Sequence, residues 1–400
     1  RMDISITSRR GFLRLACTAA AGFASANLLA ACGSAAAPAS SSTPAPAKPS
    51  STAPSAPASG AAAKPGGPAS AAAGPAQSSA SVAPLSPPVT VRLSDAHITN
   101  NAGVYLGIEK GYFKEEGVNI DLVPGGPFEA MFPALASGQI DVLQGGVPPS
   151  LFNGITRGLG IKIVADTVDT APGRSLFFVV RKDLIDSGAI KDYVDFKGKT
   201  LASQLTVSGV TMSFEKALAK AGLKPTDANF VTLTASDMVI ALANKKIDVA
   251  GPTEPQATQA AEQGVGVKWR ELNDVTPGQP GSLWVFSAQF IKSQPDAAKR
   301  FMVGMLRGNR DYENGMMKNQ NREEVIQALI KYTTGKDRAL YDKIAPVKLT
   351  LDGDINVQGI QGMLDFFRSK NALDPGLDLS KAFDTSFSEY AIQRLGKYTG

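Results

Sequence analysis

The stretch that decides the fold occurs twice, as ALASGQIDV at residues 134–142 and as ALANKKIDV at residues 241–249. Each copy has the pattern of a helix end followed by a strand, and a Gly/Pro-rich turn follows it, GGVPP at 145–149 and GPTEP at 251–255. Ligands of open α/β sheets bind outside the carboxyl ends of the strands. The repeat therefore predicts two α/β lobes whose turns face one cleft, the alternative being chance recurrence of a common helix-strand junction.

Short β-branched runs alternate with helical stretches around both copies, which is the pattern of a mostly parallel sheet. Two apolar runs, 176–180 and 283–286, are predicted to be the crossover strands of a hinge. The other predicted strands are 89–93, 118–123, 140–143, 200–202, 230–233 and 247–250. The predicted helices are 102–115, 128–137, 210–221, 238–244, 253–263, 295–314, 322–332, 337–344, 357–370 and 383–395.

Residues 1–31 are predicted to be an export signal outside the fold. SRRGFLR at 8–14 precedes an apolar stretch at 15–29, which is shorter than the roughly 20 residues of a membrane-spanning helix. The first block resembles a twin-arginine signal, and LAAC at 29–32 resembles a bacterial lipobox. Cys32 would then be the lipidated N-terminus of the mature chain, the alternative being an ordinary secretory peptide with a chance cysteine.

From Cys32 to Pro88 the chain is almost entirely Ala, Ser, Pro and Gly, with no aromatic and no acidic residue. Such a composition cannot bury a hydrophobic core and forms an extended, partly polyproline-like linker. Residues 32–88 are therefore predicted to be a disordered tether between the lipid anchor and the folded part.

Charge and residue counts exclude several classes of function. The formal net charge is +5, but signal and tether hold six of the 41 basic residues and one of the 36 acidic ones, which leaves 35 of each in the folded part. A neutral domain gives no support for nucleic-acid binding. Cys17 and Cys32 precede the domain and His97 is the sole histidine. We therefore expect no cysteine nucleophile, no histidine triad, no Cys/His metal site and no cofactor.

Several motifs in order carry a family resemblance. They are LGIEKGYF at 106–113, LASGQID at 135–141, FKGKT at 196–200, LAKAGLKP at 218–225 and TEP at 253–255. Together they resemble the extracytoplasmic solute-binding proteins of the nitrate, sulfonate, taurine and thiamine-pyrimidine type, over nearly all of residues 89–400.

The resemblance implies an α/β, two-lobed type II periplasmic-binding-protein fold. Lobe I would comprise residues 89–180 and 283–400, and lobe II residues 181–282. It also implies a monomer, held at the membrane by the lipid on Cys32, that delivers a small molecule to an ABC permease with its ATPase. One enzymatic branch of the family relies on a cysteine-rich motif that this domain lacks, so no enzyme activity is expected.

The resemblance also implies ligand contacts from five loops, 94–101, 125–128, 145–148, 206–211 and 252–254. Several of these loops precede helices, whose free N–H groups suit an anion. The candidate ligand-binding residues are Asp95, His97, Asn101, Gly126, Phe128, Gly146, Val147, Ser208, Gly209, Thr211, Thr253, Glu254 and Trp284.

Most of these candidates have a structural alternative. Asp95 could support its loop and Ser208 could cap a helix. Glu254 could pair with a ligand amine or complement a helix dipole, and His97 could bind ligand or stabilise its loop. Phe128 and Trp284 could stack on a ligand ring or belong to the core. Arg174, near the hinge, could meet an anionic group of a ligand or be a solvated loop residue.

The sequence thus predicts a lipid-anchored extracytoplasmic receptor for ABC import. A ligand-sensing domain that docks on a signalling receptor is the alternative, and an enzyme on the same fold is a third. The ligand stays open among sulfonates, nitrate, pyrimidines, flavins and aromatic acids.

Overall fold

A computed structural model of the chain describes residues 82–126, 128–169 and 176–400. The predicted signal peptide, Cys32, the tether up to residue 81 and Arg174 lie outside these ranges. Within them, no helix is both long enough and apolar enough to cross a membrane.

Helices and strands alternate along most of the described chain. The first part contains β1 (Val89–Asp95), α1 (Ala102–Glu109), α2 (Tyr112–Glu115), β2 (Val118–Pro124), α3 (Phe132–Ala136), β3 (Val142–Gly145), α4 (Pro149–Thr156) and β4 (Ile161–Asp169). The middle part contains β5 (Phe177–Arg181), α5 (Lys182–Asp186), β6 (Thr200–Ser203), α6 (Gly209–Lys220), β7 (Asn229–Thr232), α7 (Ala235–Ala243), β8 (Val249–Ala250), α8 (Gln256–Glu262) and β9 (Gly266–Glu271). The last part contains β10 (Pro280–Ser287), α9 (Ala288–Ser293), α10 (Pro295–Lys318), α11 (Arg322–Tyr332), β11 (Lys348–Leu349), α12 (Val357–Ser369) and α13 (Ser386–Leu395).

The strands form two separate sheets. The first has the order β11-β4-β10-β3-β1-β2, and the second has the order β7-β6-β8-β5-β9. In the first sheet β1 pairs parallel with β2 and β3, and β10 runs antiparallel to its neighbours. In the second sheet β6 pairs parallel with β7 and β8, and β5 runs antiparallel to its neighbours. We call the first sheet with its helices the first lobe, and the second sheet with its helices the second lobe. This mixed two-lobed α/β architecture confirms the predicted fold class.

The first lobe is held together by apolar residues that alternate between the two faces of its sheet. On one face Leu93, Trp284 and Phe286 pack against α10 through Phe301. On the other face Leu143 and its neighbours pack against α4 and α12 in a second cluster. The sheet is buried on both sides, as expected of strands joined by helical crossovers.

The second lobe has its own core. Phe178, Phe196 and Phe214 form an aromatic cluster on one face of the second sheet, with ring centroids 5.2 to 6.4 Å apart. On the other face Val179 and Met238 belong to a cluster with α7 and α8. Each lobe therefore buries apolar surface independently of the other.

Two boundaries differ from the sequence predictions. Residues 176–180 were expected to end lobe I, but β5 (Phe177–Arg181) lies inside the second sheet, between β8 and β9, because its apolar side chains complete that sheet's core. Residues 82–88 were expected to belong to the disordered tether. Instead, the Leu85 amide donates to the Glu116 carbonyl at 3.2 Å and its side chain packs against the first core, since it is an apolar residue in an otherwise small and polar stretch.

The helix predicted over 102–115 is broken in two. Gly111 has φ of 76°, a left-handed conformation that glycine adopts without steric cost, and it separates α1 from α2.

Candidate functional site

A cavity of about 390 Å³ lies between the two lobes, and we call it the cleft cavity. Both lobes supply its wall through residues that follow parallel strands. The segments leading into β5 and β10 and Met363 of α12 complete it. The lining residues are Phe128, Glu129, Gly146, Val147, Pro148, Leu176, Gln204, Leu205, Ser208, Gly209, Val210, Thr253, Leu272, Gln279, Pro280, Gly281 and Met363.

The first-lobe wall is built by the segments after β2 and β3. Phe128 packs against the backbone of Gly145, since a Cβ at that glycine would lie 1.9 Å from the Phe128 ring. The ring also meets Phe132 edge-on, with 5.0 Å between centroids. These contacts fix the orientation of Phe128. Gly146, by contrast, has free space where a Cβ would stand, so the wall is open at that position.

The second-lobe wall is built by the loop between β6 and α6. Ser208 is the N-cap of α6, and its Oγ accepts a hydrogen bond from the Thr211 amide at 3.2 Å. Gly209 begins the helix, and a Cβ there would lie only 1.9 Å from Nε2 of Gln279. The Gln279 side chain therefore lies against the start of α6, and a larger residue at position 209 would require the Gln279 carboxamide to shift.

Contacts on α12 join the lobes beside the cavity. Met363 lines the cavity from the first lobe and shares an apolar cluster with Met212 of α6. Nζ of Lys370, at the end of the same helix, lies 2.7 Å from Oε1 of Glu215 on α6. A further interlobe ion pair joins Lys343 to Glu262 at the end of α8. The two lobes are thus in direct contact in this structure.

The structure brings six of the thirteen predicted ligand-binding residues to the cleft cavity. They are Phe128, Gly146, Val147, Ser208, Gly209 and Thr253. Contact of each with a ligand stays a prediction.

The first loop predicted to contact ligand, 94–101, is held by hydrogen bonds to Asp95. Asp95 is 1 % exposed, and its Oδ1 accepts from the amide of His97 at 2.9 Å, from Nδ2 of Asn101 at 2.9 Å and from the hydroxyl of Tyr105 at 2.6 Å. Burial, reinforced by the Asp95 carboxylate, raises the pKa of Tyr105 far above its usual value, so this phenol stays protonated as a donor. Asp95 and the fully buried Asn101 therefore support the loop and do not line the cleft cavity.

His97 and Glu254 line a different, much smaller cavity of about 20 Å³. Nδ1 of His97 lies 3.0 Å from the Tyr332 carbonyl oxygen and 3.1 Å from Oδ2 of Asp95, two acceptors that require the proton on that nitrogen. Glu254 Oε1 accepts from Nζ of Lys268 at 3.1 Å and from the Thr258 hydroxyl at 3.0 Å. The carboxylate predicted to meet a ligand amine is thus already paired within its own lobe.

Three other predicted residues also lie away from the cleft cavity. Trp284 is 1 % exposed and packs in the first core, because strand alternation turns it toward α10. Thr211 is buried, and its hydroxyl donates to the Leu205 carbonyl at 2.8 Å. Gly126 is exposed in the loop after β2 and faces Met131. These residues, like Asp95 and Asn101, do not line the cleft cavity, and their contact with a ligand stays a prediction.

Other lining residues were not predicted. Gln204 and Leu205 directly follow β6, where the predicted loop, 206–211, started two residues too late. Gln279, Pro280 and Gly281 stand at the start of β10, where a Gly/Pro-rich sequence before an apolar run is the available signal. Leu272 and Met363 reach the cavity only through lobe packing, and no local pattern indicates them.

The chain has two α/β lobes, and the cavity lies at the carboxyl ends of the parallel strands of each lobe. This arrangement is the type II periplasmic-binding-protein fold. The chain belongs to the NMT1/THI5-like family, whose model matches residues 98–314. This match confirms the family resemblance of the sequence motifs.

Individual similar proteins agree with that family. A protein of Brucella abortus that carries the name of a binding protein, without a stated ligand, is 28 % identical over 68 % of this chain and 83 % of its own length. The periplasmic aliphatic sulphonate-binding protein of Escherichia coli superposes with a TM-score of 0.58 at 20 % identity, covering 74 % of this chain and 92 % of that one. The periplasmic nitrate-binding protein of Synechocystis PCC 6803 gives 0.61 at 16 % identity, covering 77 % and 89 %.

An enzyme shares the fold as well. A desulfurization enzyme superposes with a TM-score of 0.58 at 13 % identity, covering 76 % of this chain and 99 % of that one. The fold is therefore common to binding proteins and to at least one catalyst, and activity has to be argued from the site.

Proposed function

We propose that this protein is an extracytoplasmic solute-binding protein that captures a small organic molecule between its lobes and delivers it to an ABC importer. The observation that carries the proposal is the cleft cavity, whose wall comes from both lobes. A ligand held there contacts both lobes at once and so favours their closed arrangement over an open one. Family membership and the sulphonate- and nitrate-binding structural neighbours support the same class of function.

An enzymatic role has less support from the cavity wall. Among its described lining residues, Glu129 is the one titratable side chain, and its Oε1 accepts from the Ser150 hydroxyl at 2.7 Å. General acid-base chemistry uses positioned titratable groups, commonly in pairs with different pKa values. The wall offers many side chains that can contact a bound molecule but few titratable groups that could catalyse its conversion.

The receptor function predicts a measurable effect of ligand on stability. Full-length protein is screened by thermal shift against sulfonates, inorganic anions, pyrimidines, flavins and aromatic carboxylates. A true ligand at 100 times its Kd stabilises the folded state by about 2.7 kcal/mol and raises Tm by several degrees. A compound that shifts Tm should also reduce the radius of gyration measured by small-angle scattering. Stabilisation with no change in radius would contradict ligand-driven lobe closure.

The lipid anchor forms the second half of the proposal and rests on the LAAC sequence that ends at Cys32. Two acyl chains hold a protein at a membrane far more stably than one. In cells fed a radiolabelled fatty acid, the wild-type chain should take up label and sediment with membranes. The Cys32→Ser variant should take up none and appear in the soluble fraction, whereas Cys17→Ser should behave like wild type. Equal labelling of wild type and Cys32→Ser would refute the anchor.

A further inference from the structure

The chemistry of the cavity wall points to a particular class of ligand. We infer that the cleft cavity takes an uncharged, largely apolar molecule of at least two rings, whose carbonyl, amide or hydroxyl groups are recognised by side-chain carboxamides and hydroxyls. The inference rests on the proposed solute-binding function and narrows the class of ligand. It excludes small anions, which the free N–H groups at helix starts had suggested.

Size is the first argument. The cavity volume of about 390 Å³ lies in the range of about 300 to 1,000 Å³ typical of sites for drug-sized ligands. An ion as small as nitrate would leave most of this space to water and would contact few wall residues at once. A bicyclic or larger molecule can reach both lobes.

The composition of the wall is the second argument. Apolar side chains from both lobes and from the hinge side form most of it, namely Phe128, Val147, Leu176, Leu205, Val210, Leu272 and Met363. The polar side chains among its described residues are the neutral Gln204, Ser208, Thr253 and Gln279, together with the acid Glu129. No lysine, arginine or histidine occurs among the described lining residues. Such a wall gains from burying apolar surface and offers an anion no opposite charge.

The start of α6 is the place where an anion would otherwise bind, since helix N-termini present free N–H groups and a positive dipole end. Here the Ser208 side chain already serves as its cap, and the Gln279 carboxamide lies against Gly209. The helix start is therefore met by neutral groups of the protein itself.

A lysine that contacts the turn carrying Thr253 is neutralised as well. Lys268 lies beside the turn that carries Thr253, but its Nζ contacts Glu254 Oε1 at 3.1 Å and the Thr258 hydroxyl at 2.9 Å. Glu254 and Lys268 are mostly buried as a pair, and separating them would leave a buried charge uncompensated. This pair adds no net charge to the cavity surroundings.

Matched ligands that differ only in charge test the inference. By titration calorimetry on the full-length protein, 2-naphthamide should bind at least tenfold more tightly than naphthalene-2-sulfonate, and neither taurine nor nitrate should bind at millimolar concentration. Gln204→Arg adds one cation to an exposed wall position and should improve sulfonate affinity about tenfold relative to the amide. Gln263→Arg makes the same change at an exposed site away from the cavity and should leave the preference unchanged.

Contrary results separate the ligand class from the receptor function. Tighter binding of naphthalene-2-sulfonate, taurine or nitrate than of 2-naphthamide would overturn the neutral class while supporting solute binding. If Arg174→Ala then loses the anion binding, Arg174, which lies outside the described ranges, is the cation that binds the anion. If neither this set nor the thermal-shift panel yields any ligand, both the ligand class and the receptor function are overturned.

Discussion

Gly146→Trp is expected to abolish ligand binding while leaving the fold intact. Gly146 lines the cleft cavity, has no atom within 4 Å of the place where a Cβ would stand, and has no positive φ. A Cβ at this position meets no protein atom, and an indole that extends from it into the cavity occupies the volume that a ligand needs. Kd for the tightest-binding compound of the panel should rise by at least about 100-fold, or about 2.7 kcal/mol. Titration calorimetry measures it.

Gly362→Trp is the matched control for this substitution. Gly362 lies on the exposed side of α12 and likewise has no atom within 4 Å of its Cβ position. It receives the same side chain on the same protein but away from the cavity wall. Both variants should keep Tm within a few degrees of wild type, since surface substitutions change stability by less than about 0.5 kcal/mol. Unchanged affinity in Gly146→Trp would show that ligand binds elsewhere.

Glu116→Gln is expected to cause a large loss of stability. Glu116 is 4 % exposed, and its carboxylate lies 2.9 Å from Nη2 of Arg394 and 3.4 Å from Nη1 of Arg300, itself 7 % exposed. Removing the negative charge leaves two guanidinium groups without their shared partner. Breaking a buried ion pair in this way costs about 3 to 5 kcal/mol. Urea unfolding followed by circular dichroism measures the change.

The adjacent Glu115 provides the control. Its carboxylate Oε2 lies 2.6 Å from Nη1 of Arg307, but the Glu115 side chain is 58 % exposed. Exposed ion pairs contribute about 0.2 to 1 kcal/mol because water and salt screen them. Glu115→Gln should therefore shift the urea midpoint only slightly. Equal shifts in the two variants would mean that burial does not strengthen the Glu116 contacts.

Much of the fold could be predicted because local patterns determine it. Residues 89–93, 118–123 and 200–202 were predicted as strands and form parts of β1, β2 and β6. Ile161–Asp169 and Gly266–Glu271 were not predicted, and both pair antiparallel with strands that close their sheets, β10 and β5. Both follow a helix with a spacing similar to that of the parallel strands, so the alternation of helices and strands could have indicated them.

The site could be predicted only where it follows strand ends. Gly146, Val147 and Ser208 stand in βα turns, so sheet topology alone places them in the cleft. Trp284 could not be placed, because neighbouring strand residues face opposite sides of the sheet and a sequence does not indicate which side is the cavity. Met363 reaches the cavity from a helix whose packing depends on the whole first lobe.

The order of strands in the first sheet has a consequence for how the chain folds. β10 lies between β3 and β4, yet it follows the entire second lobe in sequence. Until residue 287 has been synthesised, β3 and β4 lack the strand that pairs with both, and each keeps an unpaired edge of the kind that recruits other chains. Contacts so distant in sequence also slow folding. The second lobe, whose strands all lie in one continuous segment, can complete its sheet first and leave the nascent first lobe dependent on protection from aggregation.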